Sequence, residues 1–548
     1  MMKTNKTTSD NIAIYLRKVA ESRGEQIGII EAASGKKLTF AQLEKRSDQY
    51  AQHLVQQGVV PGDRVMLMVK PSAEFICLTF ALFKIGAPVI LIDPGMGYRN
   101  LLRCVSGVQP RIFIGIPKAH IFLKLFRKHF SSVRLKLCCG NSFGLLGADI
   151  SKVKPLMDES FPLYIPEESD LGAIIFTTGS TGPPKGVRYE HAIFAAQLRH
   201  IRDYYRITAD DIDQPAFPLF ALFSTALGAC AVIPDMDATK PAQVNPQKFV
   251  NSLLHNGVTY SFGSPALWNV VSRYCMEHKI KLKGLHKVLM AGAPVSGDLL
   301  TRMRSVLEEE AEIHTPYGAT ESLPIVSMES KEIISETWRL TKKGKGTCVG
   351  RPLPGINIRI INITEEIIPE ITEELFLDSG EIGEIIVNGD VVTRAYDNND
   401  IATQKAKTVY QNKLWHRMGD AGYLDEVGRL WFCGRTAHRV RTSSGIKYSV
   451  QCEAIVNNHP DIFRSALVGI AGEDTYQIPV LILEKEKGCP RPDEKILHEI
   501  KEITAQSDLT SDIGTFLFHK GFPVDIRHNA KIFREKLALW AEAEVEKS

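Results

Sequence analysis

Apolar and polar positions along this chain follow two rhythms, one in each part of the sequence. In the first three hundred residues, short apolar runs alternate with stretches of helical period. Arg64-Val-Met-Leu-Met-Val69 and Pro88 to Ile92 read as buried strands, with Pro71 to Ile85 between them as a helix. Thr39-Phe-Ala-Gln42 has the form of a capping box, and Leu43, Tyr50 and Leu54 then recur at helical spacing as far as Gly58. The same alternation returns at Val258 to Ser261, in a helix from Pro265, and at Lys287 to Met290. Strand, helix, strand predicts parallel sheets covered by helices. Beyond about residue 345 the rhythm shortens into β-rich runs, at Ile356 to Ile363, Gly383 to Val387 and Arg429 to Phe432. The acidic stretch Thr364 to Glu374 between them reads as a solvated hairpin or loop edge. A hinge is expected after Gly434-Arg435, and the tail has β runs of its own (Ala466 to Ile470, Ile478 to Leu483). The expected fold class is therefore α/β. A large domain over 1–435 combines parallel sheets with a β-rich subdomain, and a small α+β domain covers 436–548.

Composition narrows the function classes. The chain has 548 residues, too many for one ordinary core, and its 44% hydrophobic and 24% charged residues are those of a globular protein. Lys and Arg (66) nearly balance Asp and Glu (63), which argues against a nucleic-acid partner. The ten cysteines are scattered, with one adjacent pair (Cys138, Cys139) and no CxxC. That pattern suggests neither a disulfide framework nor a zinc site, and it fits a reducing compartment. The N-terminus lacks the apolar segment of a secretory signal, and Lys84, Gly86 and Pro88 break the longest apolar stretch, Phe75 to Ile92. A cytoplasmic protein without a transmembrane segment is expected.

The chemistry concentrates in TTGSTGPPKG, Thr177 to Gly186, which follows the apolar run Leu171 to Phe176. Glycines let successive N–H groups face one point, the hydroxyls add donors and Lys185 adds charge, so the loop suits phosphate oxygens. It is not a Walker A loop, which needs GxxxxGK[ST]. Five residues after Gly179 stands Pro184, and five after Gly182 stands Val187. A flexible surface turn is the plainer reading of the same composition.

TTGSTGPPKG resembles the signature loop of the adenylate-forming superfamily, which includes acyl-CoA ligases, luciferases and peptide-synthetase adenylation domains. Other segments resemble that superfamily in the same order. Thr315 to Ser322 is similar to its YGxTE segment, Gly292-Ala-Pro294 to its adenine-side loop, and Trp415 to Asp420 to its W…TGD segment, with Met418 in place of threonine. Gly434-Arg435 is similar to the start of its hinge, and Asn529-Ala-Lys531 to the site of its C-terminal lysine. The resemblance implies an adenylating N-terminal domain, a mobile C-terminal domain, and ATP with Mg²⁺ as cofactors. It implies that Thr177, Thr178, Gly179, Ser180, Thr181, Gly182 and Lys185 cradle phosphates. Gly292, Ala293, Pro294, Tyr317 and Gly318 would lie against adenine, with Asp420 and Arg435 on the ribose. Thr320 would meet the α-phosphate, Glu321 would hold the metal, and Lys531 would arrive from the mobile domain to position the attack. Taken singly, Glu321 reads equally as a helix-terminal acid, Asp420 as a turn residue and Lys531 as part of an exposed basic helix.

Departures from the superfamily pattern point to one branch. The usual hinge continues GRxxDxxKxxG, whereas this chain reads Gly434 to Gly445 with His438 at the aspartate and Arg441 at the lysine. The aromatic segment is often PLFH, but here it is Pro218-Leu-Phe-Ala221. The GRxxHRV hinge, Phe217 to Phe223, Pro523 to Ile532, Ile92 to Gly97 and Ile114 to Ala119 resemble the β-lactone synthetases of long-chain olefin biosynthesis. That resemblance implies a β-hydroxy fatty acid as substrate, with a thiolase, a reductase and a decarboxylase as associated enzymes. His438 is a candidate base for ring closure and His528 the next, while a packing histidine at a domain junction is the plainer role for His438. A fatty acyl-CoA or acyl-carrier ligase, with CoA as acceptor in the first case, is the alternative, and a non-catalytic nucleotide-binding protein a third. Gly228, Gly263, Ala291 and Gly292 either leave room for an acyl tail or permit close packing. Lys118 to Phe130 reads as a surface helix, or as a contact for a membrane or partner enzyme.

Overall fold

Alternating strands and helices build two parallel sheets in the first three hundred residues. The computed structural model describes residues 10–140, 146–152, 159–177, 183–472, 475–524 and 532–547. In the first sheet the strands Leu135–Cys138, Ile112–Gly115, Val65–Met68, Val89–Leu91 and Leu171–Phe176 lie side by side and parallel. The last of these turns back, so that Gly186–Glu190 pairs with it antiparallel. The second sheet runs parallel through Glu312–His314, Lys287–Met290, Tyr260–Gly263, Ile212–Asp213, Cys230–Ile233 and Ile27–Glu31.

Local sequence sets the boundaries of these elements. Thr39 and Gln42 form the expected reciprocal cap, at 3.3 and 3.0 Å, over the helix Phe40–Gln56. Ser72 caps Ala73–Ile85, which ends at Gly86 in the left-handed conformation. Nearly all of that helix is buried, because it lies between the sheet and neighbouring helices. Its one lysine, Lys84, is fully enclosed and neutralised by Glu44 at 2.8 Å and Asp48 at 2.6 Å. No described helix is long and apolar enough to cross a membrane. The strand expected over 258–261 lies instead at Tyr260–Gly263, since the Val258 amide is still held by the end of the preceding helix, donating to the Leu253 carbonyl at 3.0 Å.

The shorter rhythm after residue 345 produces an antiparallel sheet. Leu430–Arg435, Lys413–Leu424, Gly383–Asn388 and Asn357–Ile361 are its central run, and Tyr317–Ala319, Ser322–Ser327 and Thr347–Pro352 extend it on one side. The acidic stretch is a loop against this sheet, held by Arg417 donating to the carbonyls of Thr364 and Glu366. Beyond Arg435 the strands Ile462–Ala471, Gln477–Lys485 and Thr515–Phe518 form a separate small sheet, packed against the helices Ser449–Val456 and Arg534–Val545. All ten cysteines are free.

One buried acid stands out in the second sheet. Asp213 accepts from Ser224, whose hydroxyl oxygen in turn accepts from Tyr260 at 2.9 Å. Burial pushes the Asp213 carboxyl up to about 8, so it stays protonated at neutral pH. The folded state therefore keeps a proton that the unfolded chain releases above about pH 4, and stability from this site is lost as pH rises toward 8. Asp213→Asn lacks this titration. The unfolding free energy of wild type minus variant, from urea titrations, should fall by up to about 1.4 kcal/mol per pH unit between about pH 5 and 8. A difference independent of pH would contradict the assignment.

Candidate functional site

Two antiparallel strands flank the glycine-rich segment. Leu171–Phe176 enters it, Gly186–Glu190 leaves it, and Phe176 stands opposite Gly186. Thr177 and Lys185 close its base, the Thr177 amide donating to the Lys185 carbonyl at 3.0 Å. Thr178, Gly179, Ser180, Thr181 and Gly182 lie outside the described residues. The returning strand is fastened to the residues the site needs. The Tyr189 hydroxyl donates to the Thr320 carbonyl at 2.5 Å, and the Asp397 amide donates to the Gly186 carbonyl at 2.7 Å. Thr393 holds the Glu321 carbonyl through both its amide and its hydroxyl, each at 3.0 Å.

These ties bring Tyr396 between the loop and Glu321. Its hydroxyl donates to Glu321 Oε1 at 2.7 Å, while Lys185 Nζ lies 4.8 Å from its ring centroid. Lys185 and Glu321 therefore flank one aromatic ring. Thr177, Lys185, Thr320 and Glu321 all line a cavity of about 1640 Å³.

In the same cavity Asp420 is buried on the strand Lys413–Leu424, opposite Arg435 in register. The Tyr317 hydroxyl donates to Asp420 Oδ2 at 2.6 Å, and Arg435 Nη1 lies 3.1 Å from Oδ1. Arg435 also donates to the Met418 carbonyl at 3.1 Å, and the Met418 sulfur accepts from Ser322 at 3.2 Å. Burial and the neighbouring carboxylate push the Tyr317 phenol well above its ordinary range, so it remains a donor. Gly292, Ala293, Pro294 and Gly318 line the same space. Gly292 has φ 98°, which favours glycine, and a Cβ on Gly318 would lie 2.5 Å from the Ser322 carbonyl oxygen.

Aromatic and aliphatic side chains make up much of the remaining lining of the cavity. Phe217, Phe220, Phe223 and Phe262 line it, with Phe220 stacked on Phe262 at 3.6 Å between centroids. The lining also runs past Leu67 of the first sheet and past Phe75, Leu101 and Phe122 on helices beside it. Of the small residues singled out in the sequence, Gly263, Ala291 and Gly292 line this space. Gly228 does not, and a Cβ there would meet Ala209 at 3.0 Å, so it serves close packing. Ala221, where the superfamily often has histidine, is fully buried in the core and is not among the lining residues.

His438 sits half-buried in the short turn Thr436–His438 and lines the cavity together with Arg534 and Glu453. Burial, then the Arg534 and Arg435 guanidinium groups, lower its imidazole to about 3, so it is neutral at physiological pH. Arg534 is locked in turn by Glu453, with both carboxylate oxygens at 2.7 Å. Arg439 Nη2 donates to Glu365 at 3.0 Å, tying the segment beyond the hinge to the acidic loop. His528 and Lys531 lie outside the described residues, and Ile532 and Arg534, which follow, line the cavity.

Tyr189, Thr393, Tyr396 and Lys407 escape sequence reasoning. Each is a single residue whose role depends on a partner far along the chain, and Tyr396 in Arg394-Ala-Tyr-Asp-Asn398 has no spacing to mark it. Lys407 is buried without a hydrogen-bond partner among the described residues. Burial lowers it to about 7, against the attraction of Glu321 and Glu190.

The donor set fits a magnesium nucleotide better than a protein-caged metal. No group of three or more His, Cys, Asp or Glu able to hold an ion exists among the described residues. Glu321 offers a carboxylate on the hydroxyl of the Tyr396 ring that Lys185 also meets, and Mg²⁺ is commonly held by one carboxylate together with substrate phosphates.

Comparison with known proteins agrees with this geometry. The olefin beta-lactone synthetase of Xanthomonas campestris pv. campestris is 41% identical over 98% of this chain and 98% of its own. That of Stenotrophomonas maltophilia is 41% identical over 98% and 99%. The solved structure of the amide bond synthetase McbA from Marinactinospora thermotolerans superposes with a TM-score of 0.81 at 20% identity, covering 96% of this chain and 99% of that one. Residues 16–397 match the family of AMP-binding enzymes, and the chain belongs to that family.

Proposed function

We propose that the protein activates a β-hydroxy fatty acid with ATP and closes the resulting acyl-AMP to a β-lactone. The observation that carries this reading is that one cavity is lined by Lys185, Glu321 and Asp420 and also by many aromatic and aliphatic side chains. The full-length likeness to two olefin beta-lactone synthetases supports the choice of acid and product.

In the first step a carboxylate oxygen attacks the α-phosphorus, and the bond to pyrophosphate breaks. The glycine-rich segment, Thr177 to Gly182 with Lys185, would donate to the departing phosphates, where negative charge accumulates. Thr320 would face the α-phosphate and Glu321 would hold Mg²⁺, which neutralises phosphate charge when bound. Asp420, already fixed by Tyr317 and Arg435, would accept from the ribose hydroxyls. The Tyr317 ring would lie against adenine beside Gly292, Ala293, Pro294 and Gly318. Residues 436–548 would move as a unit about the hinge and deliver Lys531 to the carboxylate.

In the second step the substrate's own β-hydroxyl attacks the acyl carbon, the C–O bond to AMP breaks, and the hydroxyl proton leaves. The nucleophile is tethered, so no thiol is required. His438 would accept that proton, since its imidazole is already neutral. A group lowered to about 3 is a weak base, and the phosphate of AMP beside it would raise it toward a useful range. A cytoplasmic thiolase and reductase would supply the hydroxy acid, and a decarboxylase would consume the lactone.

With ATP, Mg²⁺ and a racemic long-chain β-hydroxy acid, lactone and AMP should form in the absence of any thiol. Product formed only with CoA, as thioester, would instead establish the ligase reading. Lys531→Ala should slow acid-dependent pyrophosphate release on the order of a hundredfold or more while leaving ATP affinity nearly unchanged. Near-normal release would remove Lys531 from the site. Tyr396→Phe, which takes one charge-assisted hydrogen bond from Glu321, should raise the KM for magnesium ATP about tenfold in ATP–pyrophosphate exchange. An unchanged KM would contradict the placement of Glu321.

A further inference from the structure

Between Asp93 and Asp149 the chain has no Asp or Glu, while Lys or Arg occurs nine times, in a protein whose total charge is only +3. This asymmetry gathers on one face. The helices Tyr98–Val108 and Pro117–Leu125 and the turn Arg127–Phe130 cover one side of the first sheet. Phe126 stacks on Tyr98 at 6.4 Å and packs on Phe122 at 4.7 Å, and the Ser106 hydroxyl lies 2.8 Å from His129 Nδ1, so the three pieces form one surface. Arg111 and Arg134 both pair with Asp63, whose carboxylate offsets one of their two charges. The other cations, among them Arg99, Arg103, Lys124, Arg127 and Lys128, are exposed and make no ion pair among the described residues.

Apolar side chains stand among these cations. Leu125 is 74% exposed, Tyr98 56% and Ile121 51%. Helices of this kind, with long cationic stems around protruding apolar groups, suit a lipid interface. The cavity reaches these helices, since Tyr98, Leu101, Lys118, Ala119 and Phe122 line it. An acidic protein would satisfy the charge but would leave unexplained why exposed apolar groups and residues lining an acyl-sized chamber share these helices.

We infer that this face adheres to an anionic bilayer surface and that the acyl substrate enters the cavity from the membrane between these two helices. Entry of the acid rests on the fatty-acid reading above; adhesion does not.

The test uses the full chain without ATP or acid, so its outcome is independent of the reaction. Sedimentation with vesicles of phosphatidylcholine is compared with vesicles that also contain phosphatidylglycerol. The wild type should bind only the anionic vesicles, and added salt should release it. Replacing three cations together (Lys124→Glu, Arg127→Glu, Lys128→Glu) should reduce partitioning by about tenfold or more. Leu125→Ser should weaken binding at unchanged charge, and both variants should keep wild-type ATP–pyrophosphate exchange with a detergent-dispersed acid. The lipid and salt dependence of the wild type decides the matter even if a variant fails to fold. Absence of binding to anionic vesicles, or equal binding by the charge-reversed protein, overturns the inference. So does retention on polyglutamate without vesicle binding, which would assign the face to an acidic protein.

Discussion

The buried carboxylate of Asp420 is the constraint on which the rest of the site depends. A lone carboxylate in that position would be costly, and it is stabilised by a phenol at 2.6 Å and a guanidinium at 3.1 Å. Those partners come from distant pieces of chain, Tyr317 at the edge of the antiparallel sheet and Arg435 at the end of its central strand. Satisfying one charge therefore fixes the wall of the cavity at the end of the strand Leu430–Arg435, where the chain leaves the antiparallel sheet. The same logic operates where Tyr396 joins Glu321 to the base of the glycine-rich segment. Two short polar clusters thus lie within electrostatic reach of each other in one cavity, with Arg435 sensing both Asp420 and Glu321.

That arrangement divides the labour within the proposed reaction. The polar clusters suit a charged nucleotide, while the phenylalanines suit a chain that would otherwise be exposed to water. His438 lines the same cavity, neutral because burial and two arginines disfavour its charged form. An internal hydroxyl needs only a proton acceptor and a folded substrate, so a hinge without the usual aspartate and lysine is compatible with closure by the substrate itself.

The parallel sheets, the capping box at Thr39 and the core helix over Ala73–Ile85 were legible from period and caps alone, because burial and helix ends act locally. In the antiparallel region three strands were legible, at 356–363, 383–387 and 429–432, but not the long strand Lys413–Leu424 or the pairings, which depend on contacts far apart in sequence. Motif resemblance located Lys185, Glu321, Asp420 and Arg435, and the structure brings these four to one cavity. It could not find Tyr396 or Lys407, whose significance exists only once Glu321 is beside them. Gly228 shows the opposite failure, since a small residue looks the same in sequence whether it makes room for a ligand or for a helix.

The central claim is that the acid's own carboxylate attacks the α-phosphorus of ATP. It is tested most directly by giving the enzyme an acid labelled with heavy oxygen in its carboxylate and analysing the AMP released. Attack by the carboxylate followed by ring closure leaves one labelled oxygen on AMP. AMP free of label, or label found only in pyrophosphate or inorganic phosphate, would contradict the account.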